Sequence, residues 1–187
     1  MATGQVIAQE GPIKIRQMED SPADYALLAR WLSDGRVLEF YEGRDRPYSY
    51  EQVVAEFGPE GKTDDEELTA CILVFEEQPI GYLQFYPADT GEYSFEGEGR
   101  VYALDLFIGE ADLWGKGLGT GFVQLLLAHL FNEKGADWVI LDPHIDNPRA
   151  IRAYEKCGFR KIKLLPGHEF HEGRYVDCWL MGVQKDR

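Results

Sequence analysis

An apolar strand that runs through a glycine-rich turn into an apolar helix constrains this chain more than any other feature. Residues 100–109 are strand-like, Trp114-Gly115-Lys116-Gly117-Leu118-Gly119-Thr120 is the turn, and residues 118–132 have the length and composition of a buried helix. The first amides of a helix have no partner inside it, so such a turn leaves several N–H groups converging beside the positive end of the helix dipole. That arrangement holds a phosphate or pyrophosphate. Neither Gly-x-x-x-x-Gly-Lys-Ser/Thr nor Gly-x-Gly-x-x-Gly fits the spacing, which sets aside the two commonest nucleotide loops.

Around this unit, hydrophobic periodicity and turn residues predict an α/β chain in the order β-α-α-β-β-β-α-β-α-β-β, within one domain spanning residues 1–187. Residues 13–17 alternate as a first strand. Ser21-Pro22-Ala23-Asp24 opens a helix that carries Leu27, Leu28, Trp31 and Leu32 and stops near Asp34-Gly35. A polar and aromatic loop (39–48) leads to Ser49, which caps a second helix bearing Val53, Val54 and Phe57. Residues 61–67 read as an acidic, mobile connector. Strands at 68–75 and 80–86 are joined by Glu76-Glu77-Gln78-Pro79, and an acidic loop (89–99, with Tyr93 and Phe95) precedes the strand at 100–109. A fully apolar strand at 137–141 ends at Asp142-Pro143, a helix spans 147–157 with Gly158 as its cap, and strands 161–165 and 174–183 close the fold.

Charge narrows the partners. The net charge is −14, from 33 acids against 19 bases. That argues against nucleic acid, whose phosphates need Lys and Arg, and favours a cationic amine, although solubility alone would also explain it. Cys71, Cys157 and Cys178 are odd in number and far apart, which fits a reducing cytoplasm. Residues 1–10 lack a signal-peptide pattern, and the apolar run 121–131 is too short to span a bilayer. No membrane partner is expected, and monomer and dimer both remain open.

A second signature follows the first by about thirty residues: Asn147-x-x-Ala150-x-x-x-Tyr154-x-Lys156-x-Gly158-Phe159. In this order the pair resembles motifs A and B of the GNAT N-acetyltransferases, with Trp114 standing where that family usually has Arg or Gln. The resemblance implies a mixed, mostly antiparallel twisted sheet flanked by helices, with a splayed strand pair that binds acetyl-CoA as co-substrate. It implies that the turn from Trp114 through Gly115, Lys116, Gly117, Leu118 and Gly119 to Thr120 holds the pyrophosphate, with Trp114 packed under CoA. The backbone of Leu106, Phe107 and Ile108 would hold the pantetheine and thioester carbonyl, with Asn147 on the same arm. Tyr154 would protonate the departing thiolate.

Acetyl transfer to an amine also needs a base, and a carboxylate can serve directly or through water. Asp105 lies inside the apolar run Val101-Tyr-Ala-Leu-Asp-Leu-Phe-Ile, where an unpaired charge would cost several kcal/mol. Asp142 ends the neighbouring strand. A structural salt bridge for Asp105 and a turn cap for Asp142 are the alternatives. With Phe40-Tyr41-Glu-Gly, these positions resemble the aminoglycoside 6′-N-acetyltransferases. That resemblance makes Asp105 the base, Tyr154 the acid, Asp142 an amine-binding residue, and Phe40, Tyr41 and Phe57 the lining of the drug pocket.

Glu169, Glu172, Asp177 and the 89–98 loop are candidates for an acidic lining that would attract a polycationic sugar. His168 and His171, three apart in an expected turn with no paired Cys or further His nearby, do not make a metal site, and no metal is expected. His144 reads as a turn residue, Cys157 as a small core residue, and Trp31, Trp138 and Trp179 as core. Two rivals stand beside the aminoglycoside reading. One is acetylation of another amine or hydroxylamine, such as a polyamine, a protein N-terminus or a siderophore precursor. The other is a non-catalytic module that binds CoA or drug.

Overall fold

A computed structural model describes residues 4–61 and 67–186. Most of the connector expected at 61–67 therefore lies outside the described residues. The chain opens with a hairpin of β1 (Val6–Glu10) and β2 (Ile13–Gln17), followed by α1 (Pro22–Trp31), α2 (Gly35–Leu38) and α3 (Tyr50–Phe57). Then come β3 (Thr69–Phe75), β4 (Gln78–Pro87), β5 (Val101–Ile108), α4 (Leu118–Asn132), β6 (Trp138–Leu141), α5 (Pro148–Lys156), β7 (Arg160–His171) and β8 (Arg174–Gln184). The eight strands form one mixed sheet in the order β1-β2-β3-β4-β5-β6-β8-β7. Among the described strands only β5 and β6 pair in parallel.

Local signals account for the helices. Ser21 caps α1 by accepting from the Asp24 amide, with Pro22 in the first turn. Asp24 itself serves a longer-range purpose: it is buried and takes a bidentate pair from Arg16 on β2 at 2.7 and 2.8 Å, tying α1 to the sheet. Ser49 and Gln52 form a complete capping box at the start of α3. Strand β1 was not expected, because Val6, Ile7 and Ala8 make only a short apolar run. Its pairing with β2 depends on the turn at Gly11, whose φ of +54° favours glycine.

Strand alternation divides the core. Leu83 and Phe85 of β4 pack with Leu104 of β5 against Phe122, Val123, Leu126 and Leu130 of α4. On the other face Tyr82 and Phe107 meet Leu28, Trp31 and Val53 of α1 and α3. By the same period of two, Asp105 shares the face of Phe107, away from α4.

The closing hairpin is longer than expected. Strand β7 runs to His171, so His168 to His171 lie in a strand and not a turn; the reversal falls at Glu172-Gly173, both at positive φ. Two irregularities in the β7–β8 register, at 161/163 and 165/169, bend this strand.

Candidate active site

The site begins where two strands part. Strand β5 pairs with β6 only from Val101↔Trp138 to Ala103↔Ile140. Strand β6 ends at Leu141 and the chain leaves at Asp142-Pro143. Among the described residues nothing continues the ladder along 104–108 on that side. A cleft of about 690 Å³ opens in the gap, bounded by β5, the glycine turn, α5, the 40–42 segment and β7.

Register decides which amides face the gap. The Gly109 amide donates to Ile80 and the Ala88 amide to Val101, so odd-numbered residues of β5 turn their backbone groups toward β4. Leu106 and Ile108 therefore turn theirs toward the gap. The Phe107 amide faces β4, and Phe107 contributes its ring to the wall, packed 4.6 Å from Tyr41. The Ile108 carbonyl accepts from the Trp114 indole at 2.8 Å.

The turn has the expected form. Gly115 and Gly117 sit at φ +75° and +78°, a conformation that disfavours any side chain, and Gly117 is the N-cap of α4. The first intrahelical bond there is Gly121 N–H to Gly117, so the amides of Leu118, Gly119 and Thr120 have no partner within the helix. Gly119 is helical, and a Cβ on it would meet nothing within 4 Å. Neither strain nor packing asks for glycine at that position; close approach of a ligand to the backbone would. These residues line the cleft; exposed Lys116 does not.

Helix α5 forms the facing wall. Asn147 is buried and caps it by accepting from the Ala150 amide at 3.2 Å. Arg149, Arg152, Tyr154 and Lys156 of this helix line the cleft, and the Arg149 guanidinium lies 3.9 Å over the Trp114 ring. Trp114 thus has no charge of its own but holds one in place. Burial, and then the nearby Asp105 and Asp142, push the Tyr154 phenol well up, so it is protonated at neutral pH.

The opposite end is acidic. Asp105 Oδ2 accepts from Gln84 Nε2 at 2.8 Å and from the Tyr86 hydroxyl at 3.1 Å, and Tyr82 donates to Gln84 Oε1 at 2.8 Å. No cation is among these partners, so the salt-bridge alternative for Asp105 does not describe its surroundings. Burial raises its pKa, and the two hydrogen bonds offset part of that rise. Asp142 is raised to about 7 by burial and by Asp105, against the lowering effect of His168, whose Nε2 lies 2.9 Å away. Two carboxylates with raised pKa values in one cleft, with a protonated tyrosine on its wall, suit proton transfer near neutral pH.

Phe40 and Tyr41 line this end with Tyr86 and Tyr93. Two expected substrate residues fall elsewhere. Phe57 packs behind the wall against Tyr82 and Tyr48. Glu172 is bound to Arg44 through 2.6 and 2.8 Å contacts and its backbone amide, which hold the carboxyl down at about 2. Of the other acidic candidates Glu169 lines the cleft, whereas Asp177 accepts from Gly167. Gln84, Tyr86 and Tyr93 were not singled out. The signal for the first two was the period of two along β4, which puts Tyr82, Gln84 and Tyr86 on the face of Asp105.

Comparison with known proteins places the fold in a family. Residues 20–166 match the family model of the acetyltransferase (GNAT) domain. The chain is 33% identical over 141 residues to an aminoglycoside N(6′)-acetyltransferase type 1 of Klebsiella pneumoniae, covering 74% of this chain and 70% of the relative. A kanamycin resistance protein of Rhizobium radiobacter is 43% identical over 61 residues, covering 33% of this chain and 56% of that protein. Among solved structures, AAC(6′)-Ib in complex with ribostamycin and coenzyme A superposes with a TM-score of 0.75 at 27% identity, covering 94% of each chain. The spermidine N-acetyltransferase of Vibrio cholerae shares the fold, with a TM-score of 0.74 at 19% identity and 94% and 96% coverage.

Proposed function

The chain belongs to the GNAT acetyltransferases, and from that premise we propose that it transfers acetyl from acetyl-CoA directly to the 6′-amine of an aminoglycoside. The observation that carries the reading is the separation of charge along one cleft. Arg149, over Trp114, stands with Arg152 and Lys156 beside the glycine turn; Glu42, Asp142 and Glu169 line the other end, with Arg46 beside Glu42, and Asp105 lies between on the unpaired half of β5. One end suits an anion and the other a polycation.

In this reading the amides of Leu118, Gly119 and Thr120 cradle the pyrophosphate of the co-substrate. The amides of Leu106 and Ile108, with Asn147, hold the pantetheine arm, and a β5 amide polarises the thioester carbonyl as an oxyanion donor. Asp142 and Glu169 receive ammonium groups of the sugar, and Phe40, Tyr41, Tyr86 and Tyr93 flank its rings. Asp105 takes the proton of the attacking ammonium, directly or through a water. The neutral amine attacks the acetyl carbon, the C–S bond breaks as Tyr154 gives its proton to the leaving thiolate, and the second proton lost by the acylated nitrogen returns through water to the Tyr154 phenolate. No acyl-enzyme is needed, since the cleft reaches both substrates from one strand. The relatives named as aminoglycoside acetyltransferases support the acceptor class.

The test is release of CoA thiol from acetyl-CoA with kanamycin or tobramycin, against spermidine and a short peptide as rival acceptors. Rapid release with the aminoglycosides alone supports the proposal. Release with spermidine or peptide alone retains the reaction and replaces the acceptor.

A further inference from the structure

The proposed chemistry leaves two buried histidines beside Glu169 unused. His144, Glu169 and His171 meet beside the acidic end of the cleft, and their ligand-capable atoms all lie within 4.8 Å of one another. We propose that these three side chains form a binding site for a divalent transition metal of the zinc type.

The argument turns on His171. Its Nε2 lies 2.8 Å from the Glu39 carbonyl oxygen, which can only accept, so Nε2 carries the proton. A neutral ring then presents a bare lone pair at Nδ1. The side chain is only 7% exposed, and Nδ1 has no hydrogen-bond partner among the described residues. It faces Glu169 Oε1 at 3.8 Å, too far for a hydrogen bond. A lone pair opposed to a carboxylate oxygen is unfavourable, and either a proton on Nδ1 or a metal ion between the two relieves it. The other carboxylate oxygen lies 2.9 Å from His144 Nε2, and the two imidazole rings meet edge to face at 4.6 Å.

The donor set identifies the class of ion. Two imidazole nitrogens and a carboxylate suit zinc and its first-row neighbours better than magnesium or calcium, which prefer all-oxygen shells. With metal–ligand distances near 2.0–2.1 Å, tetrahedral donors lie about 3.3 Å apart. The observed separations of 2.9 and 3.8 Å bracket that value. The Glu39 carbonyl is the outer-shell acceptor that a ligating histidine ordinarily has. Because His144 and Glu169 also line the cleft, a fourth position would open toward it. Occupancy would consume the charge of Glu169 and compete with a cationic acceptor.

In the sequence His171 looks paired with His168. The structure separates them: His168 turns to Asp142, and the nearer ligand, His144, comes from the loop after β6.

The full chain, stripped with chelator, is titrated with zinc chloride by calorimetry and by competition with a chromophoric chelator. One zinc per chain is expected at micromolar affinity or tighter. His171→Ala and Glu169→Gln should each weaken it on the order of tenfold or more, and His168→Gln should leave it unchanged. Nitrogen-15 spectra of the unsubstituted protein give a second reading that needs no variant: His144 Nε2 and His171 Nδ1 should shift on zinc addition, while His129, on α4 against Phe85, does not. A protonated His171 that simply pairs with Glu169 would give no saturable binding. That result overturns the proposal, as does binding that the two variants leave intact or that shifts only other residues.

Discussion

Replacing Asp105 by Asn tests the base assignment with little disturbance of the fold. The two hydrogen bonds to Asp105, from Gln84 and Tyr86, converge on one oxygen, Oδ2. An Asn with its carbonyl oxygen in that place keeps both donors satisfied, loses the charge, and puts its NH2 where Oδ1 was. General-base catalysis contributes about 10²–10⁴-fold, so kcat/KM for the amine should fall by about that factor. The pH profile gives the sharper reading. A carboxylate whose pKa is raised by burial stays protonated, and useless as a base, to a higher pH than an ordinary one. Activity of the unsubstituted enzyme should rise as pH increases through a region above the ordinary carboxylate range, which it shares with Asp142 near 7. The variant should lose most of that limb. Stability should move the other way. A folded-state pKa above the unfolded one favours the fold at low pH and costs stability as pH rises through the folded value. Asn removes that loss, so the melting temperature should match the parent in acid and equal or exceed it at neutral pH. The assay is CoA thiol release followed with a thiol reagent across pH, beside a thermal melt. A variant that keeps kcat/KM within a few fold, with its acidic limb in place, would refute the assignment.

Tyr154→Phe should lower kcat by about 10²-fold or more with little change in either KM, measured by steady-state kinetics; equal losses in kcat and affinity would count against a proton donor. Gly119→Ala should leave the melting temperature unchanged or raised, since the added Cβ meets open space and alanine favours a helix by about 1 kcal/mol, while KM for acetyl-CoA rises roughly tenfold or more. A normal KM would show that nothing approaches that backbone. Asp142→Asn should mainly raise KM for the amine, and an unchanged constant removes it from acceptor binding. Asp24→Ala strands the Arg16 guanidinium, which is 14% exposed, and should cost about 3–5 kcal/mol in denaturant unfolding; a loss below about 1 kcal/mol would mean that water reaches Arg16.

What could be read from the residues divides by range. The glycine turn, the Ser21 and Ser49 caps and the apolar strands are local devices, each complete within a few residues, and the structure has them where expected. The end of the cleft nearest the turn was legible for that reason. The acidic end is built from contacts across many residues: Glu172 finds Arg44, His168 finds Asp142, and Tyr93 reaches the cleft from a loop. No spacing in the chain encodes those pairings. An acid that lines the cleft, such as Glu169, and one held by an arginine outside it, such as Glu172, look alike three residues apart. Phe57 misled for a related reason. Its helix was identified correctly, but the rotation of that helix about its axis points the ring at Tyr82 and not into the gap.

The gap begins where β6 stops at Leu141 while β5 runs on to Ile108. Pro143 follows, and its carbonyl accepts from the Trp179 amide, so the chain keeps to β8 as it leaves β5. Past Ala103 the backbone groups of β5 that face away from β4 have no strand to pair with. In a core they would be costly, and a substrate with carbonyl and amide groups along its length is what they suit. The same break sets Asp142 at the mouth of the gap, opposite the strand that carries Asp105. Opening the sheet and supplying its second carboxylate are thus one event in the chain. Because the Pro143 carbonyl accepts from the Trp179 amide, the donor that proline lacks would lie on the β8 side, and restoring it does not lengthen the ladder with β5. Pro143→Ala should therefore melt near the parent and keep both turnover and acetyl-CoA binding. A loss of acetyl-CoA binding in that variant would place the cause of the splay at the proline.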